Sequence, residues 1–240
     1  MTYFFNKEEI LVHKENIKYY DKIANSYNHH LEKDDSNKLI RQKVKDKFIN
    51  KVKSGCVLDF GGGTGLDLEW LTAKGYKILF CEPSISMREH AINYNNTVLH
   101  NGDIIFLADE KTDFTKWQNE TFFSQRVDAV LSNFGAINNI KDIKLLFKNL
   151  SFAIKPGGHL IAVLLDHSFK KMLKWHRKNA LRTLIFGTPF RMYVWHEGFK
   201  QTVFVHSTKE IKKACYPFFD LCETEFLGGF GFRLVHLVRQ

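Results

Sequence analysis

Val57-Leu58-Asp59-Phe60-Gly61-Gly62-Gly63-Thr64-Gly65 is a short apolar run, one acid and a glycine-rich turn, and it leads into Leu66-Asp67-Leu68-Glu69-Trp70-Leu71. A continuous apolar run reads as a parallel strand buried on both faces, and glycines at its carboxyl end let the backbone turn sharply and approach a ligand without a Cβ clash. The dinucleotide fingerprint G-x-G-x-x-G requires a third glycine where the following helix packs on the strand. Counted from Gly61, that position is Leu66. The pattern is instead D-x-G-x-G-x-G, from Asp59 through Gly61 and Gly63 to Gly65. A carboxylate here repels a pyrophosphate and suits a ligand that carries ammonium and sulfonium charge.

Other segments stand around this one in a set order. Tyr20-Asp21-Lys22-Ile23-Ala24-Asn25-Ser26-Tyr27-Asn28 precedes it and follows Y-D-x-x-A-x-x-Y-D, with Asn28 in the last position. Lys77-Ile78-Leu79-Phe80-Cys81-Glu82 reads as strand 2 and ends in an acid. Thr97-Val98-Leu99-His100 reads as a short strand 3 followed by Asn101-Gly102-Asp103-Ile104. Strand 4, Val127 to Leu131, runs into Ser132-Asn133-Phe134-Gly135-Ala136-Ile137-Asn138, and Lys155-Pro156-Gly157-Gly158 is a turn before strand 5. From Tyr20 to Val163 this set resembles the class I S-adenosylmethionine-dependent methyltransferases, in particular those acting on small molecules. S-adenosylmethionine carries the two positive groups that the Asp59 loop suits.

The resemblance implies a single Rossmann-like doubly wound α/β domain over residues 1–240. Its seven-stranded sheet is mostly parallel with an antiparallel last strand. Residues 1–35 would form a helical cover, 36–166 the cofactor core, 167–200 a lid between strands 5 and 6, and 201–240 the last two strands. Within the core, Ile40, Val44, Phe48 and Val52 recur every fourth residue and predict an amphipathic helix from Ser36 to Lys53. Strand 6 is expected at Gln201 to His206 and strand 7 at Phe230 to Val238.

The same resemblance assigns cofactor roles. Asp59, Gly61, Gly63 and Gly65 form the loop, and Glu82, about 20 residues beyond it, accepts from the ribose hydroxyls. Pro83 and Met87, with Ile85, line the adenine pocket, and Asp103 with Ile104 meets the adenine edge. Tyr20 and Tyr27 fold over the methionine end, and Asn133 stands where the methyl group meets its acceptor. Asn133 lacks the two prolines typical of enzymes that methylate base amines, which disfavours that class.

The chain has 240 residues, a net charge of +9 and four cysteines without a C-x-x-C pair. These cysteines read as core residues, so neither metal nor disulfide is expected. No apolar run reaches the ~18 residues of a membrane span, and the first residues lack a secretory pattern, so a cytoplasmic protein, monomer or homodimer, is expected. Residues 167–200 hold eight Lys and Arg against the single acid Glu197, interleaved with aromatics such as Trp175, Phe186, Tyr193 and Trp195. That composition suits an anionic or ring-bearing acceptor, or simply a helical lid with a basic outer face.

Transfer to a hydroxyl or amine needs a base of near-neutral pKa, which points to histidine. His167, at the end of strand 5, is the first candidate, with His29, His30 and His196 behind it. Three functions remain open on these residues. They are transfer to O or N of a small acceptor, transfer to tRNA or a carrier-tethered substrate, and a non-catalytic S-adenosylmethionine-binding subunit.

Overall fold

The structure is a computed structural model that describes residues 7–117, 123, 125–165, 189–228 and 231–240. Its centre is a seven-stranded sheet. β1 (Cys56–Phe60) pairs in parallel with β2 (Lys77–Cys81) and β4 (Val127–Ser132). β3 (Ile104–Phe106) and β5 (Ile154–Leu165) extend the sheet on either side. β9 (Phe232–Arg239) lies antiparallel between β5 and β8 (Phe219–Phe226), so the strand order is β3-β2-β1-β4-β5-β9-β8.

Both faces of the sheet are apolar because both are covered. Leu58, Phe60, Val130 and Leu160 join Phe147 and Leu150 of α6 (Ile143–Ala153) and Ile211 of α7 (Thr208–Cys215) in one cluster. Val57, Ile78, Ala129 and Ile161 point the other way. They meet Ile40, Val44 and Phe48 of α2 (Asp35–Lys51) and Leu68 and Leu71 of α3 (Leu68–Ala73). α2 forms as its apolar spacing requires, with Asp34 as N-cap accepting from Ser36 N at 2.9 Å. α4 (Ile85–Tyr94) completes this layer, with Ser84 as its cap, and the short α5 (Asp109–Thr112) follows β3. The chain runs outward in opposite directions from β1, towards β2 on one side and β4 on the other. That switch point leaves a crevice at the carboxyl ends of the strands.

Two expected strands differ. Thr97–Leu99 lies in a π-helical turn (Asn95–Leu99) that continues α4, and β3 begins only at Ile104. The apolar run at 201–206 is buried, but outside the main sheet. β7 (Phe199–Val205) pairs with β6 (Phe190–His196) in a separate hairpin, turned at Glu197 and Gly198, both with positive φ. The sixth strand of the main sheet is β8, which follows α7. The hairpin packs on α1 (Lys7–Glu32), where the Asn16 amide mimics a strand partner. Its Nδ2 donates to Thr202 O at 2.9 Å and its Oδ1 accepts from Thr202 N at 2.7 Å. Among the described residues no helix is long and apolar enough to cross a membrane.

Two buried polar features predict measurable behaviour. Asn138 Nδ2 donates to Phe204 O at 2.7 Å and its Oδ1 accepts from Leu165 N at 2.8 Å, so one amide joins the hairpin to the end of β5. Asn138→Ala leaves both backbone groups without these partners and should cost about 2–3 kcal/mol in denaturant unfolding. On the sheet, His159 Nδ1 and His236 Nε2 are 3.0 Å apart, and burial, then His159 and Lys51, push the His236 imidazole down to about 4. A depressed histidine keeps the folded state neutral while the unfolded chain protonates near 6.5, so its contribution is complete above that pH and is lost as pH falls towards 4. The thermal midpoint should therefore drop between pH 6.5 and pH 4, and His236→Phe should narrow that drop.

Candidate active site

The crevice is a cleft of about 760 Å³. Its floor is the glycine turn. Gly61 has φ 72°, and its N–H donates to Cys81 O at 2.8 Å, tying the turn to the end of β2. A Cβ on Gly61 would lie 2.4 Å from Ala136 Cβ, so the loops after β1 and β4 touch here. Gly63 N donates to Glu82 Oε2 at 2.9 Å, and Ser84 N donates to Glu82 Oε1 at 2.8 Å. Glu82 thus links the first loop to the α4 cap and still has lone pairs for a ligand. Burial raises its carboxyl to about 7, against the pull of the two backbone donors and Arg88.

Asp59 is buried beneath the turn, and its Oδ2 has no hydrogen-bond partner among the described residues. Burial, Asp67 and Glu82 raise its carboxyl well above the carboxylate range, while Arg41 lowers it. Asp67 in turn accepts from Arg41 and Trp70, each at 2.8 Å, and from Asn133 Nδ2 at 3.0 Å. Asn133 lines the cleft with Phe134, and its Oδ1 fixes the Phe134 N–H at 2.9 Å. Glu82 lines the cleft, with the carboxyl groups of Asp59 and Asp67 buried behind its glycine-turn end and Arg41 and Arg88 as basic neighbours. That acid-rich setting, with an Asp59 oxygen left without a partner among the described residues, suits a cationic ligand.

α1 forms the roof. Asp21 Oδ1 accepts from Ser84 Oγ at 2.6 Å and from Ser86 N at 3.1 Å, docking the helix on the start of α4. Asn28, where the motif has Asp, accepts from Thr64 Oγ1 and keeps the tie to the glycine turn. Tyr27 lies over Gly63, with its Cε1 3.8 Å from where a Cβ would stand. Tyr20 Oη accepts from Gln201 Nε2 at 2.7 Å and from Asn139 Nδ2 at 3.3 Å, and burial pushes its phenol up to about 12. Met87 is fully buried against Tyr19, Ile23 and Ala24 and also lines the cleft, as does Pro83.

Tyr20, Tyr27, Gly61, Gly63, Glu82, Pro83, Met87 and Asn133 are thus brought together around one space. Gly65, with φ 83°, packs against Ala91 of α4 outside it. Asp103 and Ile104 stand apart from it. With strand 3 displaced, Asp103 is exposed at the amino end of β3 and Ile104 pairs with Ile78 near the start of β2, away from the cleft. The acid near the carboxyl end of β3 is Asp109, ion-paired with Arg88. A later start for strand 3 would have pointed to it. His13, Asn16, Thr112, Phe114, Asn139 and Ile140 line the cleft without a motif to announce them, because α1, the segment after β3 and the loop after β4 bring them in from distant parts of the chain. His167 lies outside the described residues. His29 and His30 are exposed at the end of α1, and His30 stacks edge-on with His196, with centroids 6.0 Å apart.

A family model described as a methyltransferase domain matches residues 27–213. The chain belongs to that family. It is a methyltransferase. The methyltransferase shares its fold with DhpI in a complex with SAM and HEP (TM-score 0.70, 15% identity, 99% of this chain and 100% of that one). It is similar also to the glycopeptide N-methyltransferase MtfA complexed with S-adenosyl-L-homocysteine (TM-score 0.57, 14% identity, 82% and 88%). A demethylmenaquinone methyltransferase of Thermobifida fusca is 26% identical over 129 residues, 52% of this chain. The chain spans about half the length of that curated relative, 51%.

Proposed function

We propose that the methyltransferase takes its methyl group from S-adenosylmethionine and transfers it to an oxygen or nitrogen of a small acceptor held under α1, at the end of the cleft away from the glycine turn. The observation that carries this reading is the roof. α1 and the β6–β7 hairpin are joined across the cleft mouth by Asn16, Tyr20, Asn139 and Gln201. Such a mouth suits a compact acceptor better than a polymer. The whole chain then works as one domain, with α1 as cover and the hairpin as part of the lid.

Each cleft residue has a task within this reading. Glu82 takes the ribose hydroxyls, the turn from Gly61 to Gly63 supports the chain of the cofactor, and Tyr27 covers it. Asn133 shapes the β4 loop against which the acceptor rests. The cofactor is already activated, so the protein chiefly holds donor and acceptor in line and receives a proton. An anionic acceptor finds little support in the described part of the lid, because Lys200 is paired with Glu15 at 3.0 Å and Arg191 stacks on Phe204.

The test is methylation of a panel read by mass spectrometry. The panel holds para-cresol, catechol, benzylamine and a hydroxybenzoate beside tRNA, each with S-adenosylmethionine. Methylation of a small member supports the reading. Methylation of tRNA alone, lost steeply as salt is raised, overturns it in favour of a polyanionic substrate.

A further inference from the structure

A second cleft, of about 870 Å³, opens beside the first and shares His13, Phe114, Asn139 and Ile140 with it. Its remaining wall is mixed. Ile10, Val12 and Phe204 are apolar, and Glu9 is paired with Lys141 at 3.1 Å across it. The shared residues line both spaces, and His13 is the titratable side chain among them. We propose that the acceptor is a ring-bearing alcohol or amine whose largely apolar body lies in the second cleft while its reacting atom reaches the first past His13, and that His13 is the general base that accepts its proton.

This rests on the small-acceptor reading above. The acceptor's lone pair forms the new bond to the methyl carbon, and the carbon–sulfur bond breaks with its electron pair left on sulfur. The acceptor's proton passes to the unprotonated ring nitrogen of His13 and on to solvent. The imidazole is held ready for that role. Burial lowers its pKa, opposed by Asp113, so it is unprotonated near pH 7. The other charged groups around it are Glu9 and Lys14 on its own helix, Lys141 and Asp142 across the second cleft, and Glu82 further along the first. Phe114 and Ile140, which line both clefts together with His13, offer a ring apolar surface.

The experiment uses the full chain saturated with S-adenosyl-L-homocysteine and labelled on histidine with nitrogen-15. The His13 imidazole resonance is assigned by its absence in His13→Gln, then followed while para-cresol or benzylamine is added. The expected result is saturable binding of one probe that shifts the His13 resonance, with the other histidines little affected. With whichever panel member is turned over, His13→Gln should lower kcat about hundredfold and leave KM and S-adenosylmethionine affinity within about threefold. The residual rate should lose the acid limb of the pH profile. Failure of both probes to bind, binding that leaves the His13 signal in place, or a variant that keeps its kcat overturns the proposal. Methylation confined to tRNA marks instead the failure of the small-acceptor reading beneath it.

Discussion

Glu82→Ala should bind S-adenosylmethionine at least tenfold more weakly than the parent chain in calorimetric titration, a loss of ~1.4 kcal/mol. The variant loses the proposed acceptor for the ribose hydroxyls, and it also deprives the N–H groups of Gly63 and Ser84 of theirs. Those two amides hold the glycine turn against the α4 cap, so part of the loss comes from a loosened loop. The carboxyl also sets a pH dependence. Raised to about 7 by burial, it is half protonated near neutral pH, and only the ionised form accepts at both oxygens. Affinity should therefore rise from pH 6 to pH 8, and Glu82→Gln should flatten that rise. In the unliganded protein the sign reverses. An acid whose folded pKa is raised contributes stability below its ordinary value near 4.5, and this is lost as pH rises through about 7. Unchanged affinity in Glu82→Ala would remove this residue from the site.

Gly61→Val should abolish detectable S-adenosylmethionine binding and cost about 2–5 kcal/mol in unfolding. Two effects add. At φ 72° a branched side chain is strained by about 1–2 kcal/mol. The new Cβ would also stand 2.4 Å from Ala136 Cβ, an overpacking of about 1–3 kcal/mol that pushes the β1 and β4 loops apart. Gly75→Ala is the control. Its φ is 74°, yet a Cβ there meets nothing within 4 Å, so it should carry the backbone strain alone and leave cofactor affinity unchanged. If the two variants bind equally well, contact between the loops has no part in forming the cleft.

Much of the architecture could be read along the chain because it rests on local rules. The unbroken apolar run before Gly61 is a strand buried on two faces, and the every-fourth spacing from Ile40 to Phe48 is a helix buried on one. An acid directly after a strand, as at Glu82, must emerge at the same end of a parallel sheet as the glycine turn, whichever partners the strand finds. Strand 3 was harder. Thr97-Val98-Leu99 has the apolar, β-branched character of a strand, but it lies where α4 can continue into its π-helical turn. The three residues of β3 that do pair are too few for a periodicity. With β3 starting at Ile104, Asp103 comes to the amino end of that strand. Likewise Phe199–Val205 has the apolar content of a central strand, and nothing in its composition says that its partners are β6 and α1.

Taken alone, then, the residues determined the doubly wound class, the glycine turn, the acid at the end of β2 and the family, because each depends on neighbours within a turn, a strand or one short loop. Tertiary structure decided which acid follows β3, which apolar run enters the main sheet, and what faces the acceptor. Those outcomes depend on contacts between segments far apart in the chain. Asn16 meets Thr202, and Asn138 meets Phe204, across loops whose closure no local pattern encodes. His13 reaches the cleft because Asp21, Asn28 and Asn16 dock its helix on Ser84, Thr64 and Thr202, a placement set by packing rather than by its own sequence.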